Sequence, residues 1–341
     1  MDTEKLTLSE IEDIAFDALI AVGTSEDNAR PLAVATAATE ADGVASHGLA
    51  YIPIYCEHVL CGKVDGLAKP ALSQPRPGVL RVDAATGFAN SAIDLGFEQL
   101  VPLARSQGVA VLAIHNSYNC GVLGYHTKRL ALDGLVGLGF TNAPASIAPS
   151  GGATPVVGTN PISIAVPGDD GEPALLIDQS ASTIAKSEVM KHARDGKPIP
   201  LGWALAPDGS PTTDAALGLK GSMAPSGGYK GVGIAMLVEI MAAALTGGQL
   251  GIHASPFSGP VGGPPRTGQF FIAIDAESTS EGVFGTQIAD LVKVVYDQTG
   301  AHLPGEGRRA HRNLARDQGV AVNQTTLLKI KDIIKNNKTG A

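Results

Sequence analysis

Apolar side chains recur at helical spacing in the N-terminal part of the chain. Residues 7–10, Thr-Leu-Ser-Glu, form a capping box, in which a threonine and a glutamate satisfy free amides at a helix start. The apolar face that follows predicts a helix that ends at Gly23. Ser25 begins a second predicted helix, which ends near Gly43, and a third is predicted over residues 49–60.

Farther along, the apolar pattern predicts a sheet interleaved with helices. Strands are predicted at residues 79–83, 109–114, 135–140, 162–166, 174–177 and 270–274. Helices are predicted at residues 89–104, 122–132, 184–194 and 232–245, the last as a buried apolar helix, and in the C-terminal tail after a loop at 303–309. The Pro- and Gly-rich residues 63–77 predict a linker.

Size and charge restrict the class of protein. A chain of 341 residues forms one large or two to three small domains. The net charge of −8 argues against a nucleic-acid partner. The acidic N-terminus lacks a signal-peptide core, and no apolar run reaches the ~18–20 residues that span a bilayer. We therefore expect a soluble, cytoplasmic protein without a membrane partner.

Three cysteines give no sign of a disulfide framework. Cys56, Cys61 and Cys120 are odd in number and irregular in spacing. Cys56 and Cys61 could form a metal pair, but His58 is the one nearby ligand that accompanies them. We interpret all three as buried thiols and predict no metal.

A stretch rich in titratable groups lies between the second and third helices. Residues 41–55 contain Ser46, His47, Tyr51 and Tyr55, bracketed by glycines. Histidine exchanges a proton most easily near neutral pH, and a hinge between helices can hold its ring in one geometry. A lone histidine in a loop is more often not catalytic. Residues elsewhere in the chain are therefore needed to judge whether His47 is catalytic.

Other polar segments follow predicted strands or precede helices. Residues 115–121 form a polar loop after a buried strand, and Asp178 also lies at a strand end. The Gly-, Pro- and Asn-rich residues 141–152 and 158–161 are either plain turns or a source of free amides for phosphate or carboxylate oxygens. Lys230 lies in a glycine loop ahead of a helix, which suits an anionic ligand.

Common signatures of nucleotide and hydrolase chemistry are absent. Gly231 and Gly233 begin a Gly-x-Gly pattern, but Met236 stands at its third glycine and the pattern lies within a predicted helix. The sequence has no Walker A loop, no Gly-x-Ser-x-Gly elbow and no His-Glu-x-x-His pair. These absences exclude a Rossmann fingerprint. They also argue against the reactions that depend on the other three signatures.

Six short motifs in register resemble the type 2 malate/L-lactate dehydrogenase family over nearly the whole chain. They are Ser46-His47-Gly48, Gly158-Thr159-Asn160-Pro161, Ile199-Pro200-x-Gly202-Trp203-Ala204, Pro211-Thr212-Thr213-Asp214, Gly228-Tyr229-Lys230-Gly231 and Leu303-Pro304-Gly305. That group includes sulfolactate and ureidoglycolate dehydrogenases, diketogulonate reductase and Δ1-piperideine-2-carboxylate reductases. The resemblance implies an α/β fold with α+β character. Its NAD(P)-binding domain is not Rossmann, has a mainly antiparallel mixed sheet, and packs on a helical domain formed by the N- and C-terminal segments.

The resemblance also implies a homodimer and a division of the chain. Residues 1–75 plus 300–341 would form the helical, dimerising domain that carries the histidine. Residues 76–115 plus 250–299 would form a connecting α/β segment, and residues 116–249 the nucleotide-binding domain.

The resemblance assigns roles to individual residues. His47 matches the proton donor, Ser46 its neighbour in the relay, and Asp178 the acid that completes it. Tyr51, Tyr55 and Thr159 match substrate-binding positions. The cofactor, NAD or NADP, would be bound by Asn119, Cys120, Gly121, Val122, Leu123, Ala143, Ile177, Asp178, Gln179, Lys230, Gly305, Glu306 and Gly307.

Several residues depart from the family pattern. Tyr51 stands where the family usually has an arginine that binds the substrate carboxylate, and a tyrosine donates one neutral hydrogen bond instead of a charged fork. Asn119 replaces a usual histidine and is followed by Cys120 instead of an aromatic residue. Ser150 replaces a bulky aromatic residue, and Lys186 replaces an arginine at a helix start.

Three functions remain open at this point. The first is an NAD(P)-dependent dehydrogenase that moves a hydride between nicotinamide and C2 of a small 2-hydroxy or 2-oxo acid such as malate, lactate or sulfolactate, with His47 as acid/base. The second is a reductase of cyclic imino acids, Δ1-piperideine- or pyrroline-2-carboxylate. The third is a nucleotide-binding protein without catalysis, against which the retained Ser46, His47 and Asp178 argue.

Overall fold

The computed structural model describes residues 2–168 and 170–337. Its helices are α1 (Leu8–Ala21), α2 (Glu26–Ala41), α3 (Ile52–Leu60), α4 (Ala89–Gln107), α5 (Leu123–Leu132), α6 (Lys186–Arg194), α7 (Ala215–Lys220), α8 (Tyr229–Glu239), α9 (Ala276–Ser280), α10 (Phe284–Tyr296), α11 (Glu306–Gln318) and α12 (Gln324–Asn337). Its strands are β1 (Thr3–Leu6), β2 (Ala71–Arg76), β3 (Val79–Asp83), β4 (Val109–Ser117), β5 (Val136–Thr141), β6 (Ile162–Val166), β7 (Leu175–Gln179), β8 (Ala204–Leu205), β9 (Pro211–Thr212), β10 (Ser222–Met223), β11 (Thr267–Ile274) and β12 (Val320–Asn323).

A seven-stranded sheet forms the centre of the molecule, in the order β2-β3-β4-β11-β5-β6-β7. Only β3 and β4 pair in parallel, and every other neighbouring pair in this sheet is antiparallel. β11 inserts between two strands that precede it by more than a hundred residues, so Phe271 lies opposite both Leu112 and Gly139. The mainly antiparallel mixed sheet predicted from the family is therefore confirmed.

The two ends of the chain build one helical layer beside this sheet. β1 pairs antiparallel with β12, with Leu6 opposite Val320, and α1 packs on both α2 and α12. The capping box starts α1 as predicted, because the Thr7 amide donates to Glu10 Oε2 at 2.7 Å and the Glu10 amide donates to Thr7 Oγ1 at 3.2 Å. N- and C-terminal segments thus share one hydrophobic core.

A smaller unit surrounds the three-stranded sheet β10-β8-β9. Its core is built from side chains of α6, α7, α8 and the preceding loops, among them Ile147, Val189, Ile199, Met223 and Val232. The domain boundaries predicted from the sequence stay a prediction. The central sheet itself draws strands from residues on both sides of the predicted boundary at 115/116.

Three local predictions were wrong. The expected linker at 63–77 contains β2, which pairs antiparallel with β3. β4 continues through Ser117, because Thr267 of β11 supplies a partner for its last residue, so the polar loop predicted at 115–121 begins later. The loop predicted at 303–309 ends at Gly305, which caps α11 in a left-handed conformation with φ +91°.

The apolar run at 232–245 is a helix with only one buried side, not the fully buried helix predicted. α8 passes into a π-helical turn, Ile240–Ala244, and its small residues pack inward. The larger apolar side chains on the other side are exposed: Ile234, Met236, Leu237, Ile240 and Leu245. Within residues 2–168 and 170–337, no helix is long and apolar enough to cross a membrane.

A buried ionic network joins the helical layer to the sheet. Arg312 of α11 donates to Asp42 Oδ1, at the end of α2, and to Glu172 Oε2, between β6 and β7, each at 2.7 Å. Lys128 of α5 lies 3.3 Å from the same Glu172 oxygen. Because the Arg312 and Asp42 side chains are only 9 % and 8 % exposed, each charge depends on its partner.

We predict that Arg312→Met destabilises the fold by about 3–5 kcal/mol, because it leaves the buried Asp42 without its cation. Arg309→Met is the matched control on the same helix, since Arg309 pairs with Asp170 at the exposed surface and its loss should change stability little. Urea denaturation of the three proteins measures the difference. Equal stability of the two variants would contradict a structural role for the network.

Candidate active site

Ser46 and His47 lie in a short 3₁₀ turn directly after α2, at the helix end where the sequence placed them. The Ser46 hydroxyl lies 3.0 Å from His47 Nδ1. Gly43, with φ +75°, ends α2, and the His47 amide donates to the Val44 carbonyl at 3.0 Å. The turn therefore holds the imidazole by its Nδ1 side and leaves Nε2 for another partner.

Glu40 holds this turn in place through a hydrogen bond with the backbone. Its Oε1 accepts a hydrogen bond from the Leu49 amide at 2.7 Å, and a Cβ added to Gly48 would lie 2.2 Å from that oxygen. Burial raises the pKa of the Glu40 carboxyl, and the Leu49 amide opposes this shift. The sequence analysis missed Glu40, although a carboxylate on the alanine-rich face of α2 was a visible signal.

Asp178 lies at the end of β7, as predicted, and forms an ion pair with Arg308 of α11. Arg308 Nη1 donates to Asp178 Oδ2 at 2.7 Å, and the Asp178 side chain is 8 % exposed. A Cβ added to Gly124, in the first turn of α5, would lie 2.7 Å from Asp178 Oδ2 and 2.9 Å from Arg308 Nη1. Thus the starts of α5 and α11 meet the end of β7, and glycine leaves room for the pair.

The charges of Asp178 and Arg308 affect the pKa of the His47 imidazole. Burial lowers the pKa of His47, the negative charge of Asp178 raises it, and the positive charge of Arg308 lowers it. His47 and Asp178 share no hydrogen bond in the described part of the chain, where His47 is bonded to Ser46 and Asp178 to Arg308. The predicted relay role of Asp178 stays a prediction, and Arg308 is a residue that the sequence analysis did not identify.

Tyr51 stacks beside His47. The two rings are parallel, with an interplanar angle of 1° and centroids 6.0 Å apart. The Tyr51 hydroxyl donates to the Phe257 carbonyl at 3.1 Å and lies 3.5 Å from Asn119 Nδ2. Burial raises the pKa of Tyr51 to about 12, so its hydroxyl is neutral.

Tyr55 is a buried aromatic residue that contacts Tyr51. Its ring centroid lies 4.8 Å from that of Tyr51, it also contacts Tyr118 and Phe88, and the residue is only 1 % exposed. A Cβ on Gly121 would lie 3.9 Å from the Tyr55 hydroxyl. Tyr55 therefore lies between the histidine turn and the predicted cofactor loop.

The predicted cofactor segment 119–123 forms a mostly buried, hydrogen-bonded connection into α5. Asn119 Oδ1 accepts a hydrogen bond from the Gly121 amide at 2.6 Å, and Gly121 has φ +71°. Cys120 is buried, and its carbonyl accepts from His126 Nε2 at 2.9 Å. Val122 and Leu123 are buried as well.

The starts of α5 and α11 lie together at the end of β7. Free amides in the first turn of a helix attract anions, but at the start of α5 the space beside Gly124 is occupied by Asp178 and Arg308. A Cβ on Gly307 would meet no atom within 4 Å, while Gly305 and Glu306 cap and begin α11. Ile177, whose carbonyl accepts from Ser163 Oγ at 2.9 Å, and the exposed Gln179 flank Asp178 on β7. Of the residues that the family resemblance assigned to the cofactor, those at 119–123, 177–179 and 305–307 lie on the elements that meet here, and their role stays a prediction.

Three other residues singled out in the sequence share no side-chain hydrogen bond or ion pair with this group in the described ranges. Lys230 is exposed in the first turn of α8 and forms no side-chain hydrogen bond or ion pair with any described residue. Ser150 lies in an exposed turn. Thr159 is half-buried, and its carbonyl accepts from the Ala181 amide at 2.7 Å. The roles of Thr159 and Lys230 therefore stay predictions.

The Gly158–Pro161 motif has a structural explanation. Asn160 is fully buried with φ +37°, accepts from the Ala143 amide at 3.1 Å, and donates to Glu239 Oε2 at 2.7 Å. A Cβ on Gly158 would lie 2.3 Å from the Ala143 carbonyl oxygen. This motif holds the loop against α8.

The cysteines are not all buried, contrary to the prediction. Cys56 and Cys120 are buried, and burial raises the pKa of each thiol to about 12, but Cys61 is exposed at the end of α3. Among the described residues, no cluster of His, Cys, Asp and Glu could hold a metal ion.

Comparison with known proteins identifies the family. A profile of the malate/L-lactate dehydrogenase family matches residues 6–331. A (2R)-3-sulfolactate dehydrogenase (NADP(+)) of Chromohalobacter salexigens is 42 % identical over 92 % of both chains. A Δ1-pyrroline-2-carboxylate reductase of Ancylobacter novellus is 38 % identical over 93 % of this chain and 94 % of its own. The crystal structure of Δ1-piperideine-2-carboxylate reductase from Pseudomonas syringae superposes with a TM-score of 0.92, at 33 % identity over 97 % of this chain and all of that chain.

The chain belongs to the malate/L-lactate dehydrogenase family, and it is an oxidoreductase of that family. Both conclusions confirm what the six motifs predicted. The sulfolactate dehydrogenase relative carries NADP(+) in its name, which agrees with the predicted cofactor, NAD or NADP.

We predict that Gly48→Ala costs about 1–3 kcal/mol of stability, because the new methyl group must displace Glu40 from the Leu49 amide. Gly233→Ala is the control, since its Cβ would meet no atom within 4 Å and alanine favours a helix. Chemical denaturation compares the two variants with the wild type. A Gly48→Ala protein as stable as Gly233→Ala would rule out Glu40 as the anchor of the histidine turn.

Proposed function

We propose that the protein is an NAD(P)-dependent oxidoreductase that transfers a hydride between nicotinamide and C2 of a small 2-hydroxy or 2-oxo acid of the malate, lactate or sulfolactate type. The observation that carries this proposal is the position of His47. Its ring is held by Ser46 and lies within the electrostatic reach of Asp178 and Arg308, where the starts of α5 and α11 meet.

His47 is the acid/base of the proposed reaction. When bound, the cofactor supplies the hydride in reduction and accepts it in oxidation. Reduction of a carbonyl leaves an alkoxide that is too basic to persist at neutral pH, and a positioned imidazolium that protonates it accelerates the reaction ~10²–10⁴-fold. Because Ser46 occupies Nδ1, the proton passes through Nε2.

Asp178 and Arg308 set the charge around the imidazole in opposite directions. The carboxylate favours the imidazolium needed for reduction, and the guanidinium favours the neutral ring needed for oxidation. Since the two groups form one ion pair at 2.7 Å, their net effect on His47 is small compared with either charge alone. This balance suits a histidine that works in both directions.

Reduction of a cyclic imino acid is the second candidate. Its support is the 38 % identity to the pyrroline-2-carboxylate reductase and the TM-score of 0.92 to the piperideine-2-carboxylate reductase. Such a substrate also has a carboxylate next to the carbon that accepts the hydride, and its nitrogen would take the proton from His47 or from water. Thr159 would contact the substrate in either case.

We also infer a homodimer in which a second copy covers the exposed side of α8, and not the terminal helices to which the family resemblance assigned dimerisation. The residues of that side form an apolar strip of a kind that usually marks a protein contact: Ile234, Leu237, Ile240 and Leu245. Lys230 lies at the start of the same helix, so its proposed cofactor contact would be made near this interface. The cytoplasmic location stays a prediction.

The substrate is tested by following NADH and NADPH absorbance with a panel of pyruvate, malate, lactate, sulfolactate, ureidoglycolate and piperideine-2-carboxylate. We expect turnover of at least one acid, and we expect His47→Ala to abolish it while cofactor affinity stays near that of the wild type, because His47 moves the proton. Cofactor binding without turnover of any compound would favour a non-catalytic protein. A fully active His47→Ala variant would refute the role of His47.

The pH dependence follows from the lowered pKa of His47. Reduction needs the imidazolium, so kcat/KM for reduction should fall tenfold per pH unit as the pH rises through a pKa below 6.5. Oxidation needs the neutral ring and should rise through the same pKa. Rate profiles in both directions measure it, and a shared midpoint above 6.5 would be incompatible with the burial of this histidine.

A further inference from the structure

Because Tyr51 is neutral, it offers no positive charge to pair with the carboxylate of the substrate. Its hydroxyl proton is directed to the Phe257 carbonyl at 3.1 Å, and burial keeps the phenol neutral. Asn119, the other polar side chain at this point, uses its oxygen for the Gly121 amide at 2.6 Å. Neither side chain offers a positive charge.

Arg308 is the cation whose charge reaches His47. Its Nη1 is held by Asp178 at 2.7 Å, and its side chain is 24 % exposed. Its Nη2 and Nε form no hydrogen bond or ion pair with any residue in the described ranges 2–168 and 170–337. The edge of the guanidinium that carries Nη2 and Nε is therefore free.

The neighbouring arginines of α11 differ in this respect. Arg309 directs Nη2 to Asp170 at the outer surface. Arg312 uses both terminal nitrogens for Asp42 and Glu172 and is only 9 % exposed in its side chain. Among these three arginines, Arg308 alone combines a position fixed by Asp178, at the end of β7, with an open pair of donors.

We propose that Arg308 is a specificity-determining residue, which receives the carboxylate of the substrate on its Nη2–Nε edge while Asp178 holds Nη1. The proposal rests on the proposed function and names the group that the site recognises. A guanidinium presents parallel donors that match the two oxygens of a carboxylate. Both candidate substrate classes carry a carboxylate beside the reacting carbon, so the assignment holds for either. Asp178 then acts as the positioning residue of Arg308.

Binding of unreactive analogues tests this assignment without requiring turnover. Oxamate and pyrrole-2-carboxylate imitate a 2-oxo acid and a cyclic imino acid, and oxamide is the uncharged counterpart of oxamate. Their affinities are measured by calorimetry on the full chain saturated with NADH or NADPH. We expect the wild type to prefer oxamate to oxamide, and Arg308→Gln to bind the better carboxylate probe about 100-fold more weakly and to lose that preference.

Two further proteins separate recognition from structure. Arg309→Gln, the neighbouring arginine, should leave both affinities unchanged. Arg308→Ala should regain carboxylate binding when guanidinium chloride is added at millimolar concentration, which a structural defect would not allow. Affinity for NADH or NADPH should be the same in all variants, because we expect backbone amides at the helix starts, and not the Arg308 side chain, to bind the cofactor's phosphates.

The outcomes that overturn the proposal are distinct from failure of the proposed function. Unchanged carboxylate affinity in Arg308→Gln, a joint loss of cofactor and carboxylate binding, or a wild type that binds none of the carboxylate probes would each refute the role of Arg308. A wild type that binds the probes through Arg308 but turns over no acid or imine would leave the role of Arg308 intact and refute the proposed function.

Discussion

The buried pairing of Arg312 with Asp42 is the contact on which the site depends. Asp42 caps α2, directly ahead of the histidine turn, and Arg312 lies one helical turn after Arg308 in α11. A single ion pair therefore sets α11 against α2, the helix that precedes the His47 turn. Because the same guanidinium also binds Glu172 between β6 and β7, it fixes both helices to the edge of the sheet that ends in Asp178. A charge buried at this place is costly unless all its partners are present, so the network enforces one arrangement.

In the proposed reaction, one part of the site transfers the proton, and another part binds the negatively charged groups of the cofactor and the substrate. Ser46 orients the imidazole, and Glu40 fixes the turn through a backbone amide without contributing charge to the reacting group. The anionic parts of cofactor and substrate would meet amides at helix starts and the guanidinium of Arg308. Tyr51 stacks beside His47, Tyr55 packs at a tilt against Tyr51, and the burial of the imidazole lowers its pKa.

The sequence predicted local elements and the family well, because both depend on residues close together in the chain. The capping box of α1, the strand at Val79–Asp83 and the position of His47 at a helix end follow from neighbouring residues. The insertion of β11 into the middle of the sheet and the extension of β4 to Ser117 depend on pairing between distant strands, which no local pattern encodes. For the same reason, Arg308 was missed. Its importance comes from Asp178, which is remote in sequence, and not from the residues beside it.

In the proposed reaction, a hydride reaches C2 of a carboxylate substrate beside His47. The most direct measurement is isotope transfer. The protein is incubated with NADH or NADPH deuterated at C4 of the nicotinamide and with a mixture of 2-oxo acids and cyclic imino acids, and the products are analysed by mass spectrometry. We predict at least one product with a single deuterium at C2 and no such product from His47→Ala. A mixture in which no acid gains deuterium, or equal transfer by His47→Ala, would contradict the account.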